Sequence, residues 1–210
     1  MTMANIEYIT LGAADPAAAE RFYKDAFGLE GGQVRVQLSE EPSSGFRGYT
    51  LSIGASQPAD VDSLLGAAVD AGAEVLKPAA KSFWGYGGVV RAPDGAVWKV
   101  ASSSKKNTGP VSRRVDDIVL LLGVADVAAS KRFYAGQGFP VARSFGRTYA
   151  EFDAEGGVFT LALYRRRALA KDLGVDADGG GSHRITVHSG AGAFTDPDGF
   201  VWQDAAAPRP

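Results

Sequence analysis

Few side chains in this sequence combine the type and spacing that chemistry needs. His183 and His188 are its two histidines. Histidine titrates near neutrality, so either could act as a general base. No carboxylate stands at a spacing that would complete a proton relay with them, and a structural role is the competing reading. Trp84 and Tyr86 lie between glycines in SFWGYGG, residues 82–88. Glycine-flanked loops supply hinges, so this pair could form a mobile aromatic lid; a loop anchored by a buried tryptophan is the alternative. Residues 165–167 are three arginines at the end of an expected strand, and a solvated surface is their simplest role. The chain has no cysteine, which excludes disulfides, thiolate metal sites and cysteine nucleophiles. It shows no Ser-His-Asp arrangement, phosphate loop or nucleotide fingerprint. What remains is the chemistry of binding: rings, hydroxyls and isolated charges.

The elements that must position these groups come as a repeat. Residues 6–28, IEYITLGAADPAAAERFYKDAFG, return in altered form at 118–138, IVLLLGVADVAASKRFYAGQG. In each copy an Asp is followed seven residues later by Phe-Tyr: Asp15 with Phe22 and Tyr23, Asp126 with Phe133 and Tyr134. A second matched pair lies further on, APDGAVW at 92–98 and DPDGFVW at 196–202. A repeat bracketed at both ends is one structural module used twice. Residues 7–13 read as a strand, Asp15 as a helix N-cap, Pro16 as the first helical position and Gly28 as the stop. Ala19, Phe22, Tyr23 and Ala26 recur at helical spacing and mark a core face. Strands are predicted at 33–39, 48–54, 89–91 and 97–101, with a short one at 74–77 ended by Pro78. A helix opening at Pro58 carries Val61, Leu64, Leu65 and Ala68 inward. In the second copy a hairpin is predicted at 147–152 and 158–164, a short helix at 166–174 with Leu169 and Leu173 inward, a glycine-rich loop at 176–182 and a strand at 183–188. Thr186 to Gly199 spans far fewer residues than Thr50 to Gly95, so the second copy lacks a helix and a strand. Trp98 and Trp202 hold equivalent places and are expected in the core. The organisation is therefore a first module at 1–101, a polar linker at 102–114, a truncated second module at 115–204 and a flexible tail at 205–210.

At 210 residues the chain can form one large domain or two small ones. A net charge of -2, without a long run of one sign, argues against nucleic acid or an anionic membrane as the main partner. No apolar run approaches the roughly 20 residues that span a bilayer, and no secretory signal is visible, so a cytoplasmic protein is expected.

The strand, the Asp, the helix with Phe-Tyr and the final Asp-Gly turn before a Trp-bearing strand together resemble the vicinal oxygen chelate superfamily. That group comprises glyoxalase I, the bleomycin-resistance proteins and the extradiol dioxygenases. Residues 44–101 and 161–174 look especially like its unassigned glyoxalase-like proteins. The resemblance implies an α+β fold of tandem βαβββ modules, the second truncated here, whose curled sheets enclose a cleft for a ligand or metal. Its enzymes place metal ligands at set strand positions. The first-strand position, seven residues before the Asp, holds Tyr8 and Val119. The closing-strand position holds Lys99 and Gln203. The remaining positions fall on Gly48, Arg184 and Leu161, and His183 is one residue out of register. A divalent ion needs three or four converging His, Asp, Glu or Cys donors, so no metal site of the family type and no cofactor are expected.

By strand alternation and by the family pattern, Tyr8, Thr10, Gly48, Thr50, Ser52 and Lys99 should line the cleft of the first module. Val119, Leu121 and Gln203 should line that of the second. With Trp84 and Tyr86 these are the expected ligand-binding residues, a mix of aromatic, aliphatic and hydrogen-bonding groups suited to a small organic ligand. The resemblance thus implies a metal-independent binding protein of the sequestration or resistance type. The alternative is a lyase, isomerase or dioxygenase of the same superfamily with an atypical or absent metal. The missing helix of the second module should leave sheet uncovered, to be filled by the helix near Leu169 and Leu173 or by a second copy in a homodimer.

Overall fold

The computed structural model describes residues 4–154 and 156–206. The chain opens with β1 (Ile6–Ala13), α1 (Pro16–Phe27), β2 (Val34–Leu38) and β3 (Ser43–Gly45). Then come β4 (Tyr49–Gly54), α2 (Pro58–Asp70), β5 (Glu74–Ser82), β6 (Gly85–Arg91) and β7 (Val97–Ser102). The second half runs β8 (Asp117–Val124), α3 (Val127–Gly136), β9 (Val141–Phe145), β10 (Tyr149–Phe152), β11 (Phe159–Arg165) and α4 (Arg166–Leu173). It closes with β12 (Gly179–Gly181), β13 (Ile185–Ser189), β14 (Phe194–Thr195) and β15 (Val201–Asp204). The tail expected at 205–210 lies outside the described residues from 207 on.

Local chemistry sets the helix ends. Asp15 accepts the Ala18 amide at 3.0 Å, Pro16 opens α1, and Gly28 closes it with φ 68°, which costs glycine nothing. Asp126 caps α3 in the same way through the amides of Ala128 and Ala129. One expectation fails at Pro78. The strand there does not end but runs on to Ser82, with one register shift just before Pro78 and another spanning it. β5 is an edge strand of its sheet, where a proline forfeits no needed ladder bond.

The strands form two main sheets. The eight-stranded sheet has the order β5-β6-β7-β4-β8-β11-β10-β9. It consists of two complete βαβββ modules, β4-α2-β5-β6-β7 and β8-α3-β9-β10-β11, joined by the antiparallel pair β4 and β8. The five-stranded sheet, β14-β15-β13-β1-β2, is a depleted copy joined by the antiparallel pair β1 and β13. A short pair, β3 with β12, stands apart. The two halves of the chain are therefore not two separate clefts. Each half contributes to both sheets, because the first strand of one half finds its partner in the other. The connection at 103–116 is packed rather than free. Gln57 accepts the amides of Thr108 and Gly109 at 2.7 and 3.0 Å, and Asp60 accepts that of Ser112 at 2.7 Å.

The sheets lie back to back over one apolar core. Ile9, Leu11, Val187 and Trp202 of one meet Leu51, Trp98, Leu120 and Leu163 of the other in a single cluster. α1 and α3 are sandwiched between them. Tyr23 and Phe27 of α1 pack on Trp98, while Tyr134 of α3 packs on both Phe152 and Trp202. The inner side of β13 and β15 is thus covered from within, by α3 and the facing sheet rather than by α4. Two hydroxyls latch the sheets together. Tyr23 donates to Asp94 at 2.6 Å, and Tyr134 donates to Asp196 at 2.6 Å while accepting the Trp202 indole N–H at 3.1 Å. The repeat is imperfect here, since Asp94 corresponds in the turn to Asp198 and not to Asp196. Asp198 instead accepts the Ala125 amide and the Ser130 hydroxyl. Burial, and next the adjacent carboxylate, hold both phenols well above their usual range, so each stays a donor. Tyr23→Phe and Tyr134→Phe should each destabilise by about 1.5–3 kcal/mol, the worth of a hydrogen bond to a charged group. Tyr134→Phe should cost more, because it also orphans the Trp202 N–H. Urea unfolding with an unchanged slope measures this.

Candidate functional site

Because the inner faces are shared, each sheet has one outer face, and the expected site residues divide between them. Register places Ser52 opposite both Lys99 and Val119, and Thr50 opposite Leu121. Thr50, Ser52, Lys99, Val119 and Leu121 therefore share the outer face of the eight-stranded sheet. Tyr8, Thr10 and Gln203 do not join them. They lie on the outer face of the five-stranded sheet, through the pairs Tyr8 with His188 and His188 with Gln203. Grouping Tyr8 with Lys99 was thus incorrect, as strand alternation gives the face of a strand but not the sheet it joins.

The cleft of the eight-stranded sheet is filled by α4. Leu169, Ala170 and Leu173 are fully buried there against Phe46, Val89 and Val97, with Leu121 and Tyr164 at the margin. Thr50 is buried beneath them and donates its hydroxyl to the Val97 carbonyl at 2.8 Å. Gly48 has φ 84°, and a Cβ there would collide with the Arg166 guanidinium. It is a joint for α4 rather than a ligand contact. The arginine cluster is not simply solvated either: Arg166 donates to the carbonyls of Ala177 at 3.1 Å and Phe46 at 2.6 Å, fixing the start of α4. At the other end Lys77 donates to the carbonyls of Lys171 and Asp172. Lys99 pairs with the Asp172 carboxylate at 2.7 Å, with side chains 31% and 43% exposed.

Beside the end of α4 a pocket of about 270 Å³ remains. Gly87, Val89, Ala101 and Lys99 border it together with Lys77, Asp172 and Trp84. Trp84 stands at the tip of the β5–β6 hairpin, 83% exposed, edge-to-face with Phe83 at 4.9 Å. A buried anchoring tryptophan is thereby ruled out, and Trp84 stands exposed at the border of the pocket. Tyr86 borders the pocket but its ring turns away, donating its hydroxyl to Asp62 of α2 at 2.7 Å. It is not part of an aromatic lid. Beyond α4 the same face carries Glu151, held by Arg143 at 2.8 Å and Tyr149 at 2.5 Å.

The outer face of the five-stranded sheet carries a stack of rings. His188 lies on Tyr8 with centroids 4.0 Å apart, and Arg35 lies 3.5 Å above the other side of Tyr8. Thr10 shares a hydrogen bond with His188 Nε2 at 3.1 Å. Burial, and second the Arg35 charge, push the His188 imidazole below its usual range. Arg35 was missed from the sequence, although the inward Val34 and Val36 on either side of it already placed it outward. His183 is not on a strand at all, since β13 begins at Ile185. Its ring stacks on Phe200 at 4.0 Å, and its nitrogens meet the Arg47 and Asp198 carbonyls at 2.6 and 3.1 Å. With both nitrogens engaged it is a structural clamp.

The positions carried over as metal-ligand sites scatter. Tyr8 and Gln203 lie on one outer face, Lys99 and Val119 on the other. Gly48 and Arg184 sit in left-handed backbone before their strands, and Leu161 points into the core. Among the described residues no three His, Asp or Glu side chains come together to hold a metal ion. The residues present do not fit a metal centre of the family type.

No family model matches the chain, and no curated protein matches it. Solved structures do. Glyoxalase I from Zea mays superposes with a TM-score of 0.64 at 15% identity, over 96% of this chain and 92% of that one. A point variant of the maize enzyme gives 0.62 at 13% identity, over 97% and 94%. A candidate dioxygenase from Bacillus subtilis gives 0.55 at 13% identity, over 93% and 72%. The chain is accordingly an α+β protein with the glyoxalase, or vicinal oxygen chelate, fold. Its two halves are laid out as in the maize enzyme, along nearly the whole of both chains. No helix among the described residues is long and apolar enough to cross a membrane.

The depressed His188 titration has a consequence for stability. The folded chain keeps the ring neutral where the unfolded chain, with an ordinary value near 6.5, protonates it. Unfolding then takes up a proton, so stability should be full above about pH 6.5 and fall as the pH drops through the folded value. His188→Gln should remove that part of the decline, read as the difference between variant and parent in urea unfolding from pH 7.5 to 5.

Proposed function

We propose that this chain binds a small aromatic anion, without a metal, in the pocket between the β5–β7 strands and the end of α4. The observation that carries the reading is Lys99: at a position where the resemblance implies a metal ligand, it presents an ammonium to a pocket that also holds Trp84. A second cation, Lys77, stands beside it. An ammonium offers donors and charge to a carboxylate, and an exposed indole offers a stacking face. Sequestration of such a compound follows from this chemistry more directly than catalysis does. A cytoplasmic location belongs to the proposal and rests on the cysteine-free composition, which needs no oxidising compartment.

The competing reading is an enzyme of the same superfamily. The observation in its favour is His188, an imidazole held neutral on the opposite outer face beside Tyr8 and Thr10. The two readings separate by titration with 2-naphthoate, a planar aromatic carboxylate, followed by tryptophan fluorescence. Trp98 and Trp202 are buried and Trp84 borders the pocket, so the ligand-dependent change in emission is assigned to Trp84 by its loss in Trp84→Phe. Lys99→Met should weaken binding by about 1–2 kcal/mol, a charge-assisted bond discounted for its exposure. Tyr8→Phe should leave it unchanged. Zinc, nickel, manganese and iron(II) should not raise the Tm, whereas a native-state ligand at a hundredfold over its Kd stabilises by about 2.7 kcal/mol. Affinity indifferent to Lys99 but lost with Tyr8 or His188 would move the site to the five-stranded sheet.

A further inference from the structure

The end of α4 places an acid where a ligand's acid would go. Among the residues lining the pocket Asp172 is the one carboxylate, and Lys77, Lys81 and Lys99 line it too. Asp172 lies in the last turn of α4, where the carbonyl ends of the helix make a further negative charge unfavourable. Two contacts offset this. Lys77 spends its ammonium on the main-chain oxygens of Lys171 and Asp172. Lys99 meets the Asp172 side chain at 2.7 Å. The first contact is to backbone and does not depend on the side chain at 172. The second does, and both of its members are partly open to water. An ion pair so exposed is weak and exchangeable.

We infer that Asp172 is the specificity-determining residue of this pocket: an internal carboxylate that occupies Lys99 until a ligand's own carboxylate takes its place. The inference rests on the binding reading above and adds the group that sets affinity and charge preference. On binding, the ligand carboxylate accepts the Lys99 N–H bond and Asp172 turns to solvent. No covalent bond is made or broken. A neutral ligand has nothing to exchange and should ignore Asp172.

The test is a double-mutant cycle with two probes, 2-naphthoate and its neutral isostere 2-naphthamide, read by Trp84 fluorescence. Asp172→Asn should bind 2-naphthoate about two- to fivefold more tightly than the parent, the range an exposed ion pair is worth. In the Lys99→Met background the same substitution should change nothing, because the competition needs Lys99. The affinity for 2-naphthamide should not rise with Asp172→Asn. Asp172→Ser, with thermal unfolding of every variant, checks that α4 remains seated. If the parent binds 2-naphthoate through Lys99 but Asp172→Asn and Asp172→Ser bind it equally or more weakly, the inference is overturned and the binding reading stands. If Lys99→Met leaves the affinity for 2-naphthoate unchanged, the binding reading itself falls and this inference with it.

Discussion

Two tyrosine–aspartate hydrogen bonds hold this molecule in its arrangement. Tyr23 rides on the helix after the first strand of the five-stranded sheet and donates to Asp94, in the turn that enters the eight-stranded sheet. Tyr134 makes the reciprocal bond, from the helix of the eight-stranded sheet to Asp196 in the turn entering the five-stranded one. The Tyr134 latch is buried and the Tyr23 latch partly so, and each sits against the tryptophan that closes its sheet. A buried carboxylate is tolerable when hydrogen-bonded and costly when not. The two sheets must therefore meet at one spacing, with α1 and α3 between them. That the second latch uses Asp196 rather than the turn's equivalent of Asp94 shows how the duplicated parts adjusted separately to a common geometry.

From this back-to-back layout the functional geography follows. Both outer faces point away from the core, so a site can be built on either, and the two have diverged. The eight-stranded face kept its full strand count and then received α4, whose leucines replace the space a ligand would fill. The residual pocket at the helix end is bounded by lysines, a carboxylate and an exposed tryptophan. The five-stranded face lost a helix and strands, and holds instead a planar stack of Arg35, Tyr8 and His188.

Charge decides which chemistry these faces support. Lys99 places a positive charge at the edge of the pocket beside α4. Its contact with Asp172 shows how the chain satisfies it at rest, as a half-exposed ion pair rather than a buried one whose desolvation would be expensive. His183, which looked like a candidate base, is consumed by two carbonyl oxygens. His188, the fourth residue of β13 and on its outer face, keeps one ring nitrogen outside the hydrogen bond it shares with Thr10.

The sequence by itself determined the parts whose causes are local. The Asp caps, Pro16, Gly28 and the apolar spacing of Phe22, Tyr23 and Ala26 specify α1 and α3 within a few residues. The repeated turn before Trp98 and Trp202 marked both closing strands and their core role, and the shortened second copy was plain from spacing. Tertiary structure alone decided the rest. Which sheet β1 joins depends on β13, over 170 residues away, and pairing at that separation leaves no trace in periodicity. Tyr8 and Lys99 therefore parted company, Tyr86 turned to α2, and Leu161 turned inward. The pattern of Leu169 and Leu173 announced a buried helix face but not what would bury it, because an amphipathic face is satisfied by any apolar surface of matching shape. Only the folded chain placed that helix in the cleft, and with it the carboxylate that meets Lys99.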